Sequence, residues 1–419
     1  MRKRREREEG VEAAWSNGAS DSRPPTIGLA MEHHKAGRLP QAENILRQIL
    51  GAEPDNPVVL HLLGVIAHQF GKHAAALQLM AKALALRPDY VEAHNNLGNI
   101  LRDMGRLEDA VDSFGKALAL DPDNAALHYN AGNTLKAMGR LEDAVASYRK
   151  AFAINPDFTE VHTNLGNTLV RLERREEALA EFHRVLELDP SNSAVGHMVA
   201  ALTGETTEAA PREYVLKLFD DYSAEFDDHL VAGLAYDVPA RMRQATDRIT
   251  NVTETFPRAL DLGCGTGLVA QCFRDIVGQI DGVDLSPRML ARAKEKDVYA
   301  ALFQEDVLEF LERRDRVAPG YDLVLAADLF IYIGALGPIF AAIGDVLTAG
   351  GRFVFSVENL DQGSYKLRQT GRYCQSESYI RELASHCGFS IELRQSIDIR
   401  KGKHAPVTGN IFILRKNHR

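Results

Sequence analysis

The first half of the chain repeats one pattern of apolar and polar positions every 34 residues. In the unit spanning 91–124, Leu97 and Leu101 lie four residues apart, and Phe114 and Ala117 follow at a similar spacing. Residues three and four apart share one face of an α-helix, so each unit predicts two amphipathic helices. One such hairpin cannot bury its own apolar face, and the repetition therefore predicts a stack of hairpins.

The same register continues without an insertion through five consecutive units. These units span 23–56, 57–90, 91–124, 125–158 and 159–192. In the third unit, Gly105 breaks the chain between the two helices and Pro122 ends the second helix. At these positions the units resemble the tetratricopeptide repeat, which implies an all-α superhelical solenoid over 23–192. Residues 193–211 begin helically and then lose the pattern, which predicts a capping helix to about 203 and a linker over 204–211.

Asparagine recurs in pairs on the first helix of three units. The pairs are Asn96 and Asn99, Asn130 and Asn133, and Asn164 and Asn167. Stacking the units would align these pairs as a ladder, whose amides can bind the backbone of an extended peptide. Asparagine is also common at these positions of tetratricopeptide repeats, where it serves helix packing. Both interpretations remain open.

From about residue 258 the pattern changes to short β-rich runs that alternate with helical segments. The candidate strands are 258–262, 280–284, 299–303, 322–328, 352–357, 390–395 and 410–415. This alternation predicts a doubly wound, mostly parallel sheet of seven strands with its ligand beyond the carboxyl ends of the strands. The last two candidates lie close together in sequence, so we expect one of them to be antiparallel.

The first of these strands runs into a loop with glycine at every second position, Gly263, Gly265 and Gly267. A dinucleotide-binding fingerprint has the spacing GxGxxG, which would place its last glycine at position 268. Leu268 occupies that position. The spacing therefore disfavours a pyrophosphate and, with it, a nicotinamide oxidoreductase.

Carboxylates follow the ends of four successive candidate strands: Asp261, Asp284, Asp306 and Asp328. The carboxyl ends of parallel strands share one edge of the sheet, so we expect these groups to converge. A cluster of carboxylates at this edge suits a ligand with ribose hydroxyls and positive charge, and it repels a pyrophosphate. S-adenosylmethionine has a ribose, a sulfonium and an ammonium group.

Over residues 212–419 these motifs resemble the class I S-adenosylmethionine-dependent methyltransferases, which have a Rossmann-like α/β fold. The resemblance implies that Asp284 and Leu285 bind the ribose and that Asp306 and Val307 border the adenine. It also implies that Asp328 lies beside the cofactor. The residues that it implies approach the methionine portion are Asp261, Gly263, Cys264, Gly265 and Gly267. The whole arrangement resembles predicted bacterial methyltransferases that carry tetratricopeptide repeats. This likeness includes the segments 214–239, 371–380 and 400–410. This likeness implies no particular substrate.

Two further groups of residues are candidates for the methyl-acceptor side. The segment 212–245 carries aromatic residues at helical spacings, among them Tyr222 and Phe226, and predicts either a lid over the cofactor or a helix packed on the domain. The candidates for taking a proton from the acceptor, or for orienting it, are Asp328, Tyr332, Glu358 and His404. A carboxylate acceptor would need no base.

The basic residues of the last third of the chain give it a locally positive surface: Arg368, Arg372, Arg400, Lys401 and Lys403. They can recruit an anionic substrate, or they can be ordinary solvated charges.

Composition excludes some classes of function but does not identify the function itself. A chain of 419 residues predicts two or three folding units, and the net charge of −9 argues against a general nucleic-acid binder. No stretch approaches the roughly 18 apolar residues of a membrane span. The four cysteines share no metal-ligand spacing, so we expect no metal site and a reducing, cytoplasmic location. The polar residues 1–22 predict a disordered arm.

The leading hypothesis is a methyltransferase whose repeats recruit a protein or a carrier-bound substrate. One alternative is a small-metabolite methyltransferase that uses the repeats for assembly only. Another is a scaffold that binds the cofactor without catalysis, and the intact glycines and acidic positions weigh against it. Deletion of residues 1–205 would separate the first two hypotheses, because only small-metabolite activity should survive it.

Overall fold

A computed structural model describes residues 25–222, 227, 236–250, 254–314, 320–401 and 405–418, and for Asp221, Tyr222 and Arg314 it describes the backbone only. The predicted arm 1–22, Phe226 and His404 lie outside these residues. The chain divides into two compact units, Met1–Leu172 and Glu173–Arg419.

The first unit is all-α, and its consecutive helices pack in pairs. Its helices are α1 (Ile27–Lys35), α2 (Leu39–Ala52), α3 (Pro57–Gln69), α4 (His73–Leu86), α5 (Val91–Asp103), α6 (Leu107–Leu120), α7 (Ala125–Ala137), α8 (Leu141–Ile154) and α9 (Thr159–Arg171). The predicted helical repeats are confirmed.

Glycine at the same place in successive repeats lets the paired helices approach closely. A Cβ atom added at Gly98 would lie 2.7 Å from the ring of Phe114, and one at Gly132 would lie 2.7 Å from the ring of Tyr148. Both aromatic side chains are fully buried. A larger residue at either glycine would therefore force the two helices apart.

A buried histidine also recurs with the period of the repeat. In each case its Nε2 donates to the carbonyl of the proline six residues earlier: His94 to Pro88 (2.8 Å), His128 to Pro122 (2.9 Å) and His162 to Pro156 (2.9 Å). The bond ties the turn that carries the proline to the helix that follows it.

The second unit contains two further helices of the repeat region and an α/β domain. Its elements are α10 (Arg175–Leu188), α11 (Ser193–Thr203), α12 (Arg212–Tyr222), α13 (Val238–Ile249), β1 (Phe256–Leu262), α14 (Leu268–Phe273), β2 (Val277–Asp284), α15 (Pro287–Glu295), β3 (Ala301–Gln304), α16 (Val307–Arg314), β4 (Tyr321–Ala326), the 3₁₀ helix Phe330–Tyr332, α17 (Gly337–Val346), β5 (Leu347–Leu360), β6 (Tyr365–Leu367), β7 (Tyr373–Ser376), α18 (Glu377–His386), β8 (Phe389–Arg400) and β9 (Val407–Lys416).

The sheet is doubly wound around a parallel centre. Its strands run in the order β3-β2-β1-β4-β5, all parallel, and β9 then pairs antiparallel with both β5 and β8. Since β8 is antiparallel to β9, it runs in the same direction as β5. The expected Rossmann-like fold is confirmed, and β9 is the antiparallel strand of the last two.

A hairpin of two short strands, β6 and β7, extends the sheet at the carboxyl end of β5. Asn359 pairs with Gln375 in parallel, and β6 is antiparallel to β7. The described residues thus form a sheet of nine strands rather than seven. These strands are only three and four residues long, too short for an alternating pattern to reveal them.

Residues 193–211, hereafter the connector, belong to the second unit and are bonded to the α/β domain. His197 Nε2 donates to the carbonyl of Gly371 (3.0 Å), and the hydroxyls of Thr207 and Tyr373 lie 2.5 Å apart. Ala200 and Ala201 pack with Leu367 and Tyr373 in a small apolar cluster. The stretch expected to be a linker is therefore part of the packed domain.

Among the described residues, no helix is long and apolar enough to span a bilayer, and no three His, Cys, Asp or Glu side chains come together as metal ligands.

Candidate cofactor and acceptor sites

The glycine loop between β1 and α14 adopts a conformation that favours glycine. Gly263, Gly265 and Gly267 have φ angles of +65°, +53° and +91°, a region that L side chains rarely occupy. A Cβ atom at Gly265 would meet no atom of the described residues within 4 Å. The loop therefore presents bare backbone to an open space at the edge of the sheet.

The carboxylate of Asp284, at the end of β2, is fixed against this loop. It accepts hydrogen bonds from the backbone N–H of Gly265 (2.8 Å) and of Ser286 (2.8 Å), one on each oxygen. Burial raises its pKa, and these two backbone bonds oppose the rise. Each carboxylate oxygen has a second lone pair, so both can still accept from a ligand hydroxyl.

Asp261, the last residue but one of β1, is fully buried, and a described residue is bonded to only one of its two carboxylate oxygens. The Tyr299 hydroxyl donates to its Oδ2 (2.7 Å), whereas no described residue is bonded to its Oδ1. Burial raises the pKa of Asp261 to about 7, the bond from Tyr299 lowers it, and the charge of Asp284 raises it further. A buried acceptor without a donor favours a ligand that brings one.

The neighbouring Cys264 is buried, and burial raises the pKa of its thiol well above the usual value. It is therefore a small packing group and not a thiolate nucleophile.

Asp306 lies beyond the end of β3 and caps α16. Its Oδ1 accepts from the backbone N–H of Leu308 (2.9 Å) and Glu309 (3.2 Å). Val307 begins the helix and is buried. Asp306 is thus held in place with its other oxygen available at the same edge of the sheet as Asp261 and Asp284.

Two acidic residues before β1 reach the same loops, and the sequence did not single them out. Asp227 accepts from the Thr266 hydroxyl and forms an ion pair with Lys296 (2.7 Å). The Ser286 hydroxyl donates to Asp220 (2.5 Å). The predicted lid segment thus contacts the glycine loop and the turn after β2. The side chains of the two predicted lid aromatics lie outside the described residues.

The candidates on the acceptor side lie together at the ends of β4 and β5. Asp328 has a φ of +51°, and its backbone N–H donates to Ser356 Oγ (2.9 Å) while that hydroxyl donates back to its carboxylate (3.1 Å). Arg400 lies 3.6 Å from the Asp328 carboxylate and is bonded to Glu358. Burial raises the pKa of Asp328, while Arg400 and Arg372 lower it.

Tyr332 completes this group from the 3₁₀ helix after β4. It is buried, and its ring packs edge-on against Phe219 of α12 with centroids 5.3 Å apart. Burial raises its pKa, and the positive charge of Arg372 opposes this rise. The sequence analysis predicted Asp328, Tyr332 and Glu358 as acceptor-side candidates, and it left open whether the arginines recruit an anionic substrate or are solvated surface charges.

The connector borders the acceptor side through its backbone. The N–H of Ala210 donates to the carbonyl of Tyr332 (2.9 Å), and the N–H of Gly334 donates to the carbonyl of Glu208 (2.8 Å). The chain that leaves the repeats therefore fixes the segment that carries Tyr332.

In the first unit, four of the six asparagines of the expected ladder are bonded to other side chains of the repeats. The pairs are Asn96 with His61 (2.7 Å), Asn130 with Asn95 (2.9 Å), Asn164 with Tyr129 (2.9 Å) and Asn133 with Tyr148 (2.7 Å). Asn99 has a buried Oδ1 with no partner among the described residues, and Asn167 is exposed. Asn96, Asn99 and Asn130 line a pocket of about 320 Å³ with His68, Arg102 and Asp103.

Comparison with family models matches both parts of the chain. A model described as a methyltransferase domain matches residues 260–353. Models of the tetratricopeptide repeat match 27–91, 79–112, 98–139, 132–173 and 159–192.

Curated relatives match about a quarter to a third of the chain. A ubiquinone biosynthesis O-methyltransferase of Bradyrhizobium sp. (strain ORS 278) is 32% identical over 117 residues, 27% of this chain and 45% of the relative. One of Burkholderia orbicola (strain MC0-3) is 30% identical over 109 residues, 26% and 47% of the two chains. The mouse mitochondrial arginine-hydroxylase NDUFAF5 is 30% identical over 134 residues, 31% and 37% of the two chains. The chain thus spans less than half the length of these relatives.

Solved structures resemble the repeats. MamA from Desulfovibrio magneticus RS-1 is 24% identical, covering 39% of this chain and 93% of that one with a TM-score of 0.37. The thermophilic repeat protein TTC0263 of Thermus thermophilus is 24% identical, covering 42% and 96% of the two chains with a TM-score of 0.36.

Proposed function

We propose that this chain, a methyltransferase domain joined to tetratricopeptide repeats, transfers a methyl group from S-adenosylmethionine to a substrate that the repeats recruit. The observation that carries the proposal is the position of Asp284. Its carboxylate is held by the N–H of Gly265 at a loop that is open on its outer side. A fixed carboxylate beside bare backbone fits the hydroxyls of a ribose.

The buried groups around the loop fit the rest of this cofactor. Asp261 Oδ1 lacks a donor, and the cofactor's ammonium group would supply one. Asp306 is fixed by α16 with one oxygen available for an exocyclic amine of adenine. When bound, S-adenosylmethionine supplies a methyl group activated by the sulfonium. The protein contributes a site of matching charge and holds the acceptor in line with that methyl group.

On the acceptor side, the role of the protein residues is orientation and proton transfer. Arg400 ties the carboxylates of Asp328 and Glu358 together, so both are held rigidly at the strand ends. Because burial raises the pKa of Asp328, this residue is the better base toward a hydroxyl or amine acceptor. His404 remains a second candidate base outside the described residues.

The repeats recruit a protein or a carrier-bound substrate in this proposal. Support comes from the pocket of the first unit, where the Asn99 oxygen is buried without a partner and so can accept from a peptide N–H. A small hydroxyl-bearing metabolite is the alternative acceptor, because two relatives are named for O-methylation in ubiquinone biosynthesis. The four free cysteines suit a reducing compartment such as the cytoplasm.

Calorimetric titration of S-adenosylmethionine, with NADH as the comparison ligand, tests the cofactor assignment. We expect the full-length protein to bind the first and not the second. Asp284→Asn keeps the shape of the side chain but removes its charge, so we expect affinity to fall at least tenfold, equivalent to about 1–3 kcal/mol for charge-assisted bonds.

The matched control is Asp247→Asn, which removes an exposed carboxylate paired with Arg243 and should leave affinity unchanged. Absence of S-adenosylmethionine binding by folded wild-type protein would refute the proposal.

A further inference from the structure

Tyr299 lies between α15 and β3 and packs against the glycine loop. A Cβ atom added at Gly267 of the loop would lie 3.0 Å from its ring, and one at Gly282 of β2 would lie 2.8 Å from it. The ring also packs against the apolar cluster that β1, β2 and α14 share. These contacts on several sides fix the position of the ring.

The hydroxyl of this ring holds one oxygen of the Asp261 carboxylate. It donates to Oδ2 over 2.7 Å. Burial raises the pKa of Tyr299 well above its usual value, and the charge of Asp261 raises it further, so the hydroxyl keeps its proton and stays a donor. Because this bond occupies Oδ2, the buried Oδ1, which has no partner among the described residues, is the oxygen left for a ligand to donate to.

The other groups that face Asp261 do not favour its ionised form. Burial raises the pKa of Asp261 most, the bond from Tyr299 lowers it, and the like charge of Asp284 raises it again. Burial also raises the pKa of Cys264 in the loop and of Tyr236 before α13, so neither side chain adds a charge beside Asp261. Among the described residues, the Tyr299 hydroxyl is thus the group that favours the carboxylate.

A buried carboxylate stays ionised only beside donors or an opposite charge. We propose that Tyr299 is a positioning residue of the cofactor site, which holds Asp261 as a carboxylate for the ammonium group of the ligand's amino-acid part. Tyr299 acts through Asp261 and needs no contact with the ligand. The identity of that ligand rests on the proposed function.

This arrangement couples ligand binding to pH. In the ligand-free protein the pKa of Asp261 is about 7, so below this value Asp261 must release a proton when the ammonium group binds. Affinity for a ligand with an ammonium group therefore rises with pH and levels off once the carboxyl is ionised.

S-adenosylhomocysteine and 5′-methylthioadenosine are the test ligands. Both contain the same adenosine and an uncharged thioether sulfur, and only the first has an amino-acid part. Both offer the same ribose to Asp284, so the ratio of the two affinities isolates the effect of Asp261. Calorimetric titration of the full-length protein at pH 5.5, 6.5 and 7.5 measures this ratio, and we expect it to rise about tenfold or more across the range.

Tyr299→Phe keeps the ring but removes the donor. We expect the ratio to fall roughly fivefold near pH 7, and its rise to move to higher pH, because the carboxyl of Asp261 then loses its proton less readily. Asp261→Asn should make the ratio independent of pH, since the amide does not titrate.

The matched control is Tyr321→Phe. Tyr321 is a buried tyrosine of β4 whose hydroxyl donates to the carboxylate of Asp281 on β2 (2.9 Å). The variant removes the same kind of bond from the same sheet, and it should keep the wild-type ratio at every pH.

A second measurement needs no ligand. Tyr299→Phe should lower the midpoint of denaturant unfolding more at pH 8 than at pH 5, because the lost bond is made to a charged carboxylate only at the higher pH.

Three results would overturn the inference: a wild-type ratio that is independent of pH, an unchanged ratio in Tyr299→Phe, or an equal loss of both ligands in that variant, which would indicate a packing role only. Failure of the proposed function has a different signature, since wild-type protein would then bind neither S-adenosylmethionine nor S-adenosylhomocysteine at any pH. Even then, equal losses of stability at pH 5 and pH 8 would show that Tyr299 does not hold the charge of Asp261.

Discussion

Asp261 couples the stability of the ligand-free protein to pH. Its carboxyl is fully buried with one oxygen unpartnered, and burial raises its pKa to about 7 from an ordinary value near 4. Between these two values the folded protein holds a proton that the unfolded chain has released. Stability therefore falls as pH rises through this window, and the loss is complete above the folded pKa.

We expect Asp261→Asn to stabilise the ligand-free protein more at pH 8 than at pH 5. The neutral amide avoids the buried charge and can still accept from Tyr299, so the gain should increase by about 2 kcal/mol between the two pH values. Denaturant unfolding at both pH values measures the change. A gain that is independent of pH would contradict the assignment, and S-adenosylmethionine affinity should fall in the same variant.

A substitution at Gly265 can test two roles of the loop separately, its need for a glycine backbone conformation and its contact with the ligand. An alanine there needs a left-handed backbone, which costs about 1–2 kcal/mol, but its Cβ meets no described atom. Gly363 has the same kind of backbone (φ +87°) and open surroundings, and it lies in the turn between β5 and β6. It therefore supplies the matched control.

We expect Gly265→Ala and Gly363→Ala to lower stability to a similar extent, whereas only Gly265→Ala should lose S-adenosylmethionine affinity. Melting curves and calorimetric titration give the two quantities. If both variants bind S-adenosylmethionine with the affinity of wild-type protein, the cofactor does not bind on the open side of Gly265.

The proximity of the glycine loop to Asp284 could be predicted from sequence because it follows from local spacing and strand order. Gly263, Gly265 and Gly267 follow one strand, and Asp284 ends the next, so strand order alone brings them together. Arg372 could not be assigned in the same way. Its relation to Asp328 and Glu358 depends on the β6–β7 turn, whose short strands leave no periodic signal.

At the scale of elements, the connector is the feature that sequence reasoning described least well. Its last residues, 204–211, have no helical pattern, and this absence predicted a linker. They are held instead by backbone bonds to the segment after β4, as in the bond from Ala210 to Tyr332. Backbone bonds place little demand on side-chain identity, so they leave no pattern to read.

The histidine of the connector gives a test of this attachment. His197→Phe keeps an aromatic ring beside Tyr214 and Tyr373 but leaves the buried Gly371 carbonyl without its donor. We expect stability to fall by about 1–2 kcal/mol. Since His197 and Gly371 both lie within the second unit, a fragment of residues 173–419 should lose stability to the same extent.

His128→Phe is the control, because it removes an equivalent bond to a proline carbonyl within the first unit. It should lower the stability of the full-length protein by a similar amount. Unchanged stability of His197→Phe would show that the bond to Gly371 does not hold the connector.

At the scale of the whole molecule, the division of the chain decides which truncations can be informative. The second unit begins at Glu173 and includes α10 and the connector. Deletion of residues 1–205 would remove α10 and residues 193–205 of the connector and expose Leu367 and Tyr373, which are fully buried beside Ala200 and Ala201. Loss of activity after that deletion would therefore not distinguish substrate recruitment from misfolding.

We expect a fragment of residues 173–419 to melt cooperatively and bind S-adenosylmethionine, and a fragment of 206–419 to do neither. Thermal melting and calorimetric titration of the two fragments are the measurements. A stable, cofactor-binding 206–419 fragment would contradict the structural role of the connector.

The histidine series of the repeats has a consequence for how such a chain can lengthen by gene duplication. His94, His128 and His162 are 34 residues apart, and each is bonded to the proline near the end of the preceding repeat. In the helix that follows the last repeat, His197 is displaced by one residue from this series and bonds Gly371 instead. Because this histidine–proline bond recurs with the repeat, copies of the 34-residue unit can be gained or lost upstream in the gene. The final helix, α11, is bonded to the α/β domain and must be inherited with that domain.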